Sequence, residues 1–169
     1  MRNPFRFSID AESSTIAIGD VGQNSFEEIN LLTLDAARGA NFGWAAFEGS
    51  EPLNRELGCL GAVIPTPTPD RHDPPLHEYP HEGEGQSGCA VTGGLIVRSP
   101  KLPSLDGRYV YSDFCDGELR SLDPDAVGGL DERGTGLNIG IPTSIAGTPA
   151  GRLYSTSIDG ELFRIKAAA

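Results

Sequence analysis

The sequence predicts an all-β chain built as about three blades of a β-propeller, and three observations carry that prediction. Glycine and proline are abundant, at 22 and 13 of 169 residues, which favours many short strands joined by turns over a helix bundle. Two segments share one pattern. Tyr109-Val110-Tyr111-Ser112-Asp113-Phe114 leads through Cys115-Asp116-Gly117 into Glu118-Leu119-Arg120-Ser121-Leu122, and Leu153-Tyr154-Ser155-Thr156-Ser157-Ile158 leads through Asp159-Gly160 into Glu161-Leu162-Phe163-Arg164-Ile165. Each reads strand, Asp-Gly turn, strand. The two Asp-Gly pairs lie 43 residues apart, the spacing of propeller blades.

In chain order, the first strand covers residues 5–9. A third copy of the pattern follows: Thr15-Ile16-Ala17-Ile18-Gly19-Asp20, then a longer turn, then Glu28-Ile29-Asn30-Leu31. Ser25 with Glu28 imitates a helix capping box, and Phe26, Ile29, Leu32 and Ala36 fall near helical spacing. The repeat argues instead for a strand over 28–34. Further strands are expected at 91–97 and 139–146. Residues 45–87 are rich in Pro, Gly, His and Glu and read as a long irregular insertion over one face; 123–136 reads as a second, acidic and Gly-rich loop. The whole of 1–169 is then one partial propeller. Three blades are fewer than a ring needs to close, so the chain reads as half a ring. The alternative is a β-sandwich of similar size.

Charge removes some functions. Thirteen Lys and Arg face 24 Asp and Glu, for a net charge of -11, so the basic field that a nucleic acid requires is missing. No apolar run reaches membrane-spanning length. Met1-Arg2-Asn3-Pro4-Phe5-Arg6-Phe7 holds no signal-peptide core, and so abrupt a start suggests a cut N-terminus or a short edge strand. The tail 166–169 reads as frayed.

Candidate chemistry is sparse. His72, His77 and His81, with Glu78, Glu82 and Cys89, invite a metal reading, but Pro74, Pro75 and Pro80 forbid the helix that the spacing of His77 and His81 would need. A solvated loop is the favoured reading. Thr92-Gly93-Gly94 and Gly85-Gln86-Ser87-Gly88 lack the strand-to-helix elbow of a nucleophilic hydrolase. Cys89 and Cys115 both sit beside expected strand ends and read as a disulfide, which implies an oxidising compartment; the alternative is that all three cysteines are reduced, partly buried thiols. Cys59 has no evident partner. Arg2 and Asn3 place a fork-shaped cation beside an amide. Gly19-Asp20-Val21-Gly22-Gln23-Asn24 reads as an Asx-rich turn or, alternatively, as one whose carbonyls meet a hard cation.

Taken in order, these segments resemble the glucose/sorbosone dehydrogenase family. The resemblance is carried by Arg2-Asn3-Pro4-Phe5-Arg6-Phe7, Ile18-Gly19-Asp20-Val21-Gly22-Gln23-Asn24, Glu27-Glu28-Ile29-Asn30, Asn41-Phe42-Gly43-Trp44 and Glu48-Gly49. It continues through Glu78-Tyr79-Pro80-His81, Gly88-Cys89-Ala90-Val91-Thr92-Gly93-Gly94, Gly107-Arg108-Tyr109-Val110-Tyr111 and Asp113-Phe114-Cys115. It implies a six-bladed quinoprotein propeller of which this chain is the C-terminal half. It implies oxidation of aldose sugars at C1 with pyrroloquinoline quinone (PQQ) and calcium, in the periplasm or outside the cell. Arg2 and Asn3 match positions that contact PQQ. Gly22 and Gln23 match the pair whose carbonyls hold the calcium, with Gln23 replacing the Pro of one branch. Trp44 matches a packing position, and the resemblance supports a Cys89–Cys115 bridge.

Two departures bear on function. The family's catalytic His lies in the N-terminal half, so no catalytic residue is expected here. Three basic residues that contact the quinone in the glucose-oxidising branch fall near Cys115, Ile141 and Thr143, none of them basic. The resemblance also extends to secreted propellers that bind proteins, such as the Hedgehog-interacting protein. The partners implied are a sugar, the other half of the propeller or, in the second reading, a protein or carbohydrate. A non-functional fragment is the third.

Overall fold

The computed structural model describes residues 1–53, 72–81, 88–126 and 131–168, and every regular element within them is a β-strand. β1 (Pro4–Asp10), β2 (Thr15–Asp20) and β3 (Phe26–Thr33) run antiparallel in sequence. A two-residue hairpin, β4 (Phe47–Glu48) and β5 (Glu51–Pro52), follows. β6 (His77–Pro80) then pairs with β3 and completes a four-stranded blade in the order β1-β2-β3-β6. The second blade is β7 (Val91–Ile96), β8 (Tyr109–Asp113), β9 (Glu118–Leu122) and β10 (Arg133–Asn138). The third is β11 (Pro142–Gly147), β12 (Leu153–Ser157) and β13 (Leu162–Ile165).

Local chemistry explains the strands. Thr15, Ile16 and Ile18 supply the β-branched character of β2. β3 bonds to β2 along one edge and to β6 along the other. A helix over 26–37 would forfeit both ladders, so the strand reading holds despite the helical spacing. The two Asp-Gly turns depend on their glycines: Gly117 has φ +68° and Gly160 has φ +99°, a region that side chains with a Cβ rarely enter.

The core lies between blades. Ala17, Ile29, Tyr79, Val91, Ile96, Tyr109, Tyr111 and Leu122 pack the first blade on the second. Val97, Leu102, Leu105, Val110, Leu119, Ile139, Ile145, Leu153 and Ile165 pack the second on the third. Each Val, Leu or Ile among them stabilises by roughly 1.5–3 kcal/mol on burial. Polar groups pin the same interfaces. Tyr79 donates its hydroxyl to Asp113 at 2.8 Å, Val91 N–H donates to Glu27 at 2.8 Å, and the Thr92 hydroxyl donates to the Pro142 carbonyl at 3.1 Å. Burial pushes the Tyr79 phenol far above its usual range, reinforced by the Asp113 carboxylate.

Three readings change. The stretch 45–87 is not wholly irregular, because β4, β5 and β6 fall inside it and β6 is a working blade strand. The stretch 123–136 gives way to β10 from Arg133 onward, paired with β9. The strand expected over 139–146 begins at Pro142 instead. Cys59, Glu82 and the Gly85–Ser87 segment lie outside the described residues.

Candidate functional site

The antiparallel pairing of β1 and β2 sets Pro4 opposite Asp20. The residues just before β1 and just after β2 therefore meet at one end of the first blade. Pro4 biases Asn3 toward an extended backbone, which lets both strand ends lie side by side. Asp20 is buried and organises the corner: Oδ2 accepts Arg2 N–H at 2.9 Å and Oδ1 accepts Asn3 N–H at 2.6 Å. Val21 N–H returns a bond to the Asn3 carbonyl at 3.0 Å. The Arg2 guanidinium folds onto the turn, donating Nε to Gln23 Oε1 at 2.7 Å and Nη1 to the Val21 carbonyl at 2.9 Å. Arg2, Asn3, Gly22 and Gln23 thus share one corner.

Beneath the turn lies Glu48, a residue the sequence offered only as part of a motif. Its Oε1 accepts N–H bonds from Gln23, Asn24, Ser25 and Phe26 at 2.6, 2.7, 2.8 and 3.3 Å. A trans peptide unit points its C=O opposite to its N–H. The N–H groups of Gln23 and Asn24 aim at Glu48, so the Gly22 and Gln23 carbonyls point away from it. Among the described residues, neither of these carbonyls accepts a hydrogen bond. Two outward carbonyls on one turn suit a hard cation that takes oxygen ligands. Gly22 is required by the close approach: a Cβ there would stand 1.7 Å from the Phe26 carbonyl oxygen and 2.9 Å from Glu48 Oε1.

Further carboxylates brace this corner. Glu28 is buried on β3, accepts Gly49 N–H at 2.6 Å through Oε1 and receives the Asn30 side-chain amide at 3.3 Å through Oε2. Burial raises its carboxyl to about 7, and the neighbouring Asp20 pushes the same way. Glu78 Oε2 accepts Ser50 N–H at 2.6 Å.

The histidines do not gather. His72 stacks on Phe47 with ring centroids 3.9 Å apart, His77 Nε2 lies 3.2 Å from the Tyr111 hydroxyl, and His81 Nε2 lies 2.5 Å from Glu27 Oε1. The solvated-loop reading is therefore corrected: His77 lies on β6 against Tyr111 of the second blade, His81 meets Glu27 of β3, and His72 packs on the β4–β5 hairpin. Desolvation lowers the His77 imidazole and raises the Glu27 carboxyl. Thr92 is buried and donates to the Pro142 carbonyl, away from any nucleophilic role.

Cys89 and Cys115 are joined by a disulfide with Cα atoms 5.8 Å apart. Asp113 sits between them, accepting N–H bonds from Cys89, Ala90 and Cys115. Cys89, Asp113 and Cys115 also form the one cluster of metal-type donors among the described residues, but a disulfide offers no thiolate to a metal. Of the three positions where a base is missing, Thr143 receives one from elsewhere: Arg6 donates Nε to its carbonyl at 3.2 Å. The corner therefore offers carbonyls for a cation and the Arg2 guanidinium for a carboxylate, while Arg6 reaches the third blade at Thr143. That set is compatible with a calcium-bound, tricarboxylate quinone.

The architecture resembles the propeller of sugar dehydrogenases. Over 99% of its length the chain is similar to a glucose dehydrogenase structure (TM-score 0.67, 19% identity, 45% of that chain). It is also similar to the apo-form soluble aldose sugar dehydrogenase of Escherichia coli, over 92% of its length (TM-score 0.62, 20% identity, 41% of that chain). In sequence it is 34% identical over 118 residues to the HIPL1 protein of Arabidopsis thaliana, a match spanning 68% of this chain and 16% of that protein. The chain thus spans less than half the length of these solved structures. No protein-family model matches it. No helix among the described residues is long and apolar enough to cross a membrane.

Proposed function

We propose that this chain is the cofactor-holding portion of a sugar-oxidising propeller oxidoreductase, acting on aldoses at C1 with PQQ and calcium. The observation that carries the reading is the convergence of Arg2, Asn3, Gly22 and Gln23 on one corner, with two carbonyls turned outward. The Gly22 and Gln23 carbonyls would hold calcium. Arg2 and Asn3 would bind and orient the quinone. When bound, the calcium–quinone pair supplies a polarised carbonyl that accepts hydride. The resemblance assigns the catalytic His to the N-terminal half, so on this reading the chain contributes the wall of the pocket and leaves proton abstraction from the sugar to a base elsewhere in the propeller. The disulfide supports a periplasmic or extracellular setting.

A second reading, a secreted non-catalytic propeller that binds a protein or carbohydrate, is favoured by the lack of basic residues at Cys115, Ile141 and Thr143. The two part on cofactor binding. PQQ is titrated into the chain with calcium and again with a chelator, followed by PQQ fluorescence, and the mixture is then assayed with glucose and a dye acceptor. Calcium-dependent binding without dye reduction is expected. No binding in either condition would favour the second reading, and turnover above a heat-killed control would overturn the assignment of the base elsewhere.

A further inference from the structure

Glu48 is far from β2 and β3 in sequence, yet it binds four consecutive N–H groups of the turn that joins them. It sits in the β4–β5 hairpin, and that hairpin is itself held. The N–H of Gly49 is fixed by Glu28 from β3, and the N–H of Ser50 by Glu78 from β6, each at 2.6 Å. Gly49 takes φ +62° to make the turn. Two carboxylates of the blade thus place a third under the 22–26 turn.

Consecutive N–H groups that converge on one point form a concave anion site. Here the chain's own carboxylate fills it. The consequence lies on the other side of the same peptide planes. With the N–H of Gln23, Asn24 and Ser25 drawn to Glu48, the carbonyls of Gly22, Gln23 and Asn24 are turned away from it, the Gly22 and Gln23 pair among them. The Ser25 carbonyl is engaged by His81 N–H at 2.9 Å, so it is withdrawn from the same role. The buried negative charge also stands directly behind the carbonyl pair.

From this we infer that Glu48 is the positioning residue of the cation site, setting the Gly22 and Gln23 carbonyls before any cation arrives. The inference rests on the calcium reading above. Preset ligands lose less order on binding, and residues that orient metal ligands change affinity by about 10–100-fold when removed. Glu48→Gln keeps an acceptor but loses the charge; Glu48→Ala loses both.

Two measurements on the intact chain test this. The first is calcium affinity by calorimetry for the native chain, Glu48→Gln, Glu48→Ala and a control, Ser155→Ala, which loses a hydrogen bond within the third blade. The expected result is about a tenfold loss for Glu48→Gln, a larger one for Glu48→Ala, and native affinity for Ser155→Ala. Native affinity in both Glu48 variants would overturn the inference, and so would equal losses in all three. The second is amide hydrogen exchange of Gln23 to Phe26 without calcium. At least about tenfold faster exchange is expected in Glu48→Gln, confined to these amides; unchanged exchange would overturn the role of Glu48. If the native chain takes up no calcium, the calcium reading fails, and the exchange result still decides whether Glu48 sets the turn.

Discussion

Arg2 Nε donates to Gln23 Oε1 at 2.7 Å, so the side chain at the second position of the carbonyl pair orients the guanidinium beside it. Gln23 therefore has two separable parts: a backbone oxygen facing a cation and a side chain steering a cation of its own. Gln23→Ala should leave calcium affinity near native and weaken PQQ binding, because the Arg2 guanidinium keeps only the Val21 carbonyl to orient it. Loss of one hydrogen bond to a charged donor is worth about 1.5–3 kcal/mol. Paired calcium and PQQ titrations check the split; equal losses for both ligands would contradict it.

The Tyr79–Asp113 bond joins the first and second blades through a buried phenol and a buried carboxylate. Tyr79→Phe should destabilise by about 1.5–3 kcal/mol. Asp113→Asn should cost more, because Asp113 also accepts the N–H groups of Cys89, Ala90 and Cys115. Urea unfolding monitored by near-ultraviolet circular dichroism orders the two.

The disulfide closes a separation of 26 residues. Cys89→Ser with Cys115→Ser should lower stability by about 3–4 kcal/mol through loop-closure entropy. A matching drop on adding reductant to the native chain, absent in the double variant, is the check.

Glu28 makes stability depend on pH. Its folded carboxyl stands at about 7 against an ordinary 4.5, with burial and then Asp20 raising it. Between those values the folded state keeps a proton that the unfolded state has lost. Stability from this group thus declines as pH rises from about 4.5 to about 7 and is level beyond, a loss on the order of 3 kcal/mol. Glu28→Gln should gain on the native chain over that interval. Melting curves at several pH values measure the difference; a parallel pair of profiles would refute it.

β1 exposes Phe5 at 47%, Phe7 at 65% and Ile9 at 56%. Such a face invites association. Light scattering should find particles larger than one chain, with Phe7→Asp shifting them toward the monomer.

The hairpins were legible where apolar residues alternate and Asp-Gly marks the turn, as in β8–β9 and β12–β13. β10 was not, because Arg133, Gly134, Gly136 and Asn138 are exposed and show no alternation. β6 was hidden among prolines, with Tyr79 its one buried residue. In the candidate site, Arg2, Asn3, Gly22 and Gln23 are named from the family resemblance, because spacing alone reads equally as an Asx-rich turn. Glu48 and Asp20 could not be given roles, because their work is to accept N–H groups from backbone that only the folded chain brings near. Arg6 reaches Thr143 across 137 positions of sequence, a proximity that no local pattern encodes.

The most direct test of the account is a crystal structure of the chain grown with calcium and PQQ, with the cation located by anomalous scattering. The account predicts a cation at about 2.3–2.6 Å from the carbonyl oxygens of both Gly22 and Gln23, with the quinone against Arg2 and Asn3. Calcium and quinone bound elsewhere, or a turn left bare at saturating concentrations of both, would contradict it.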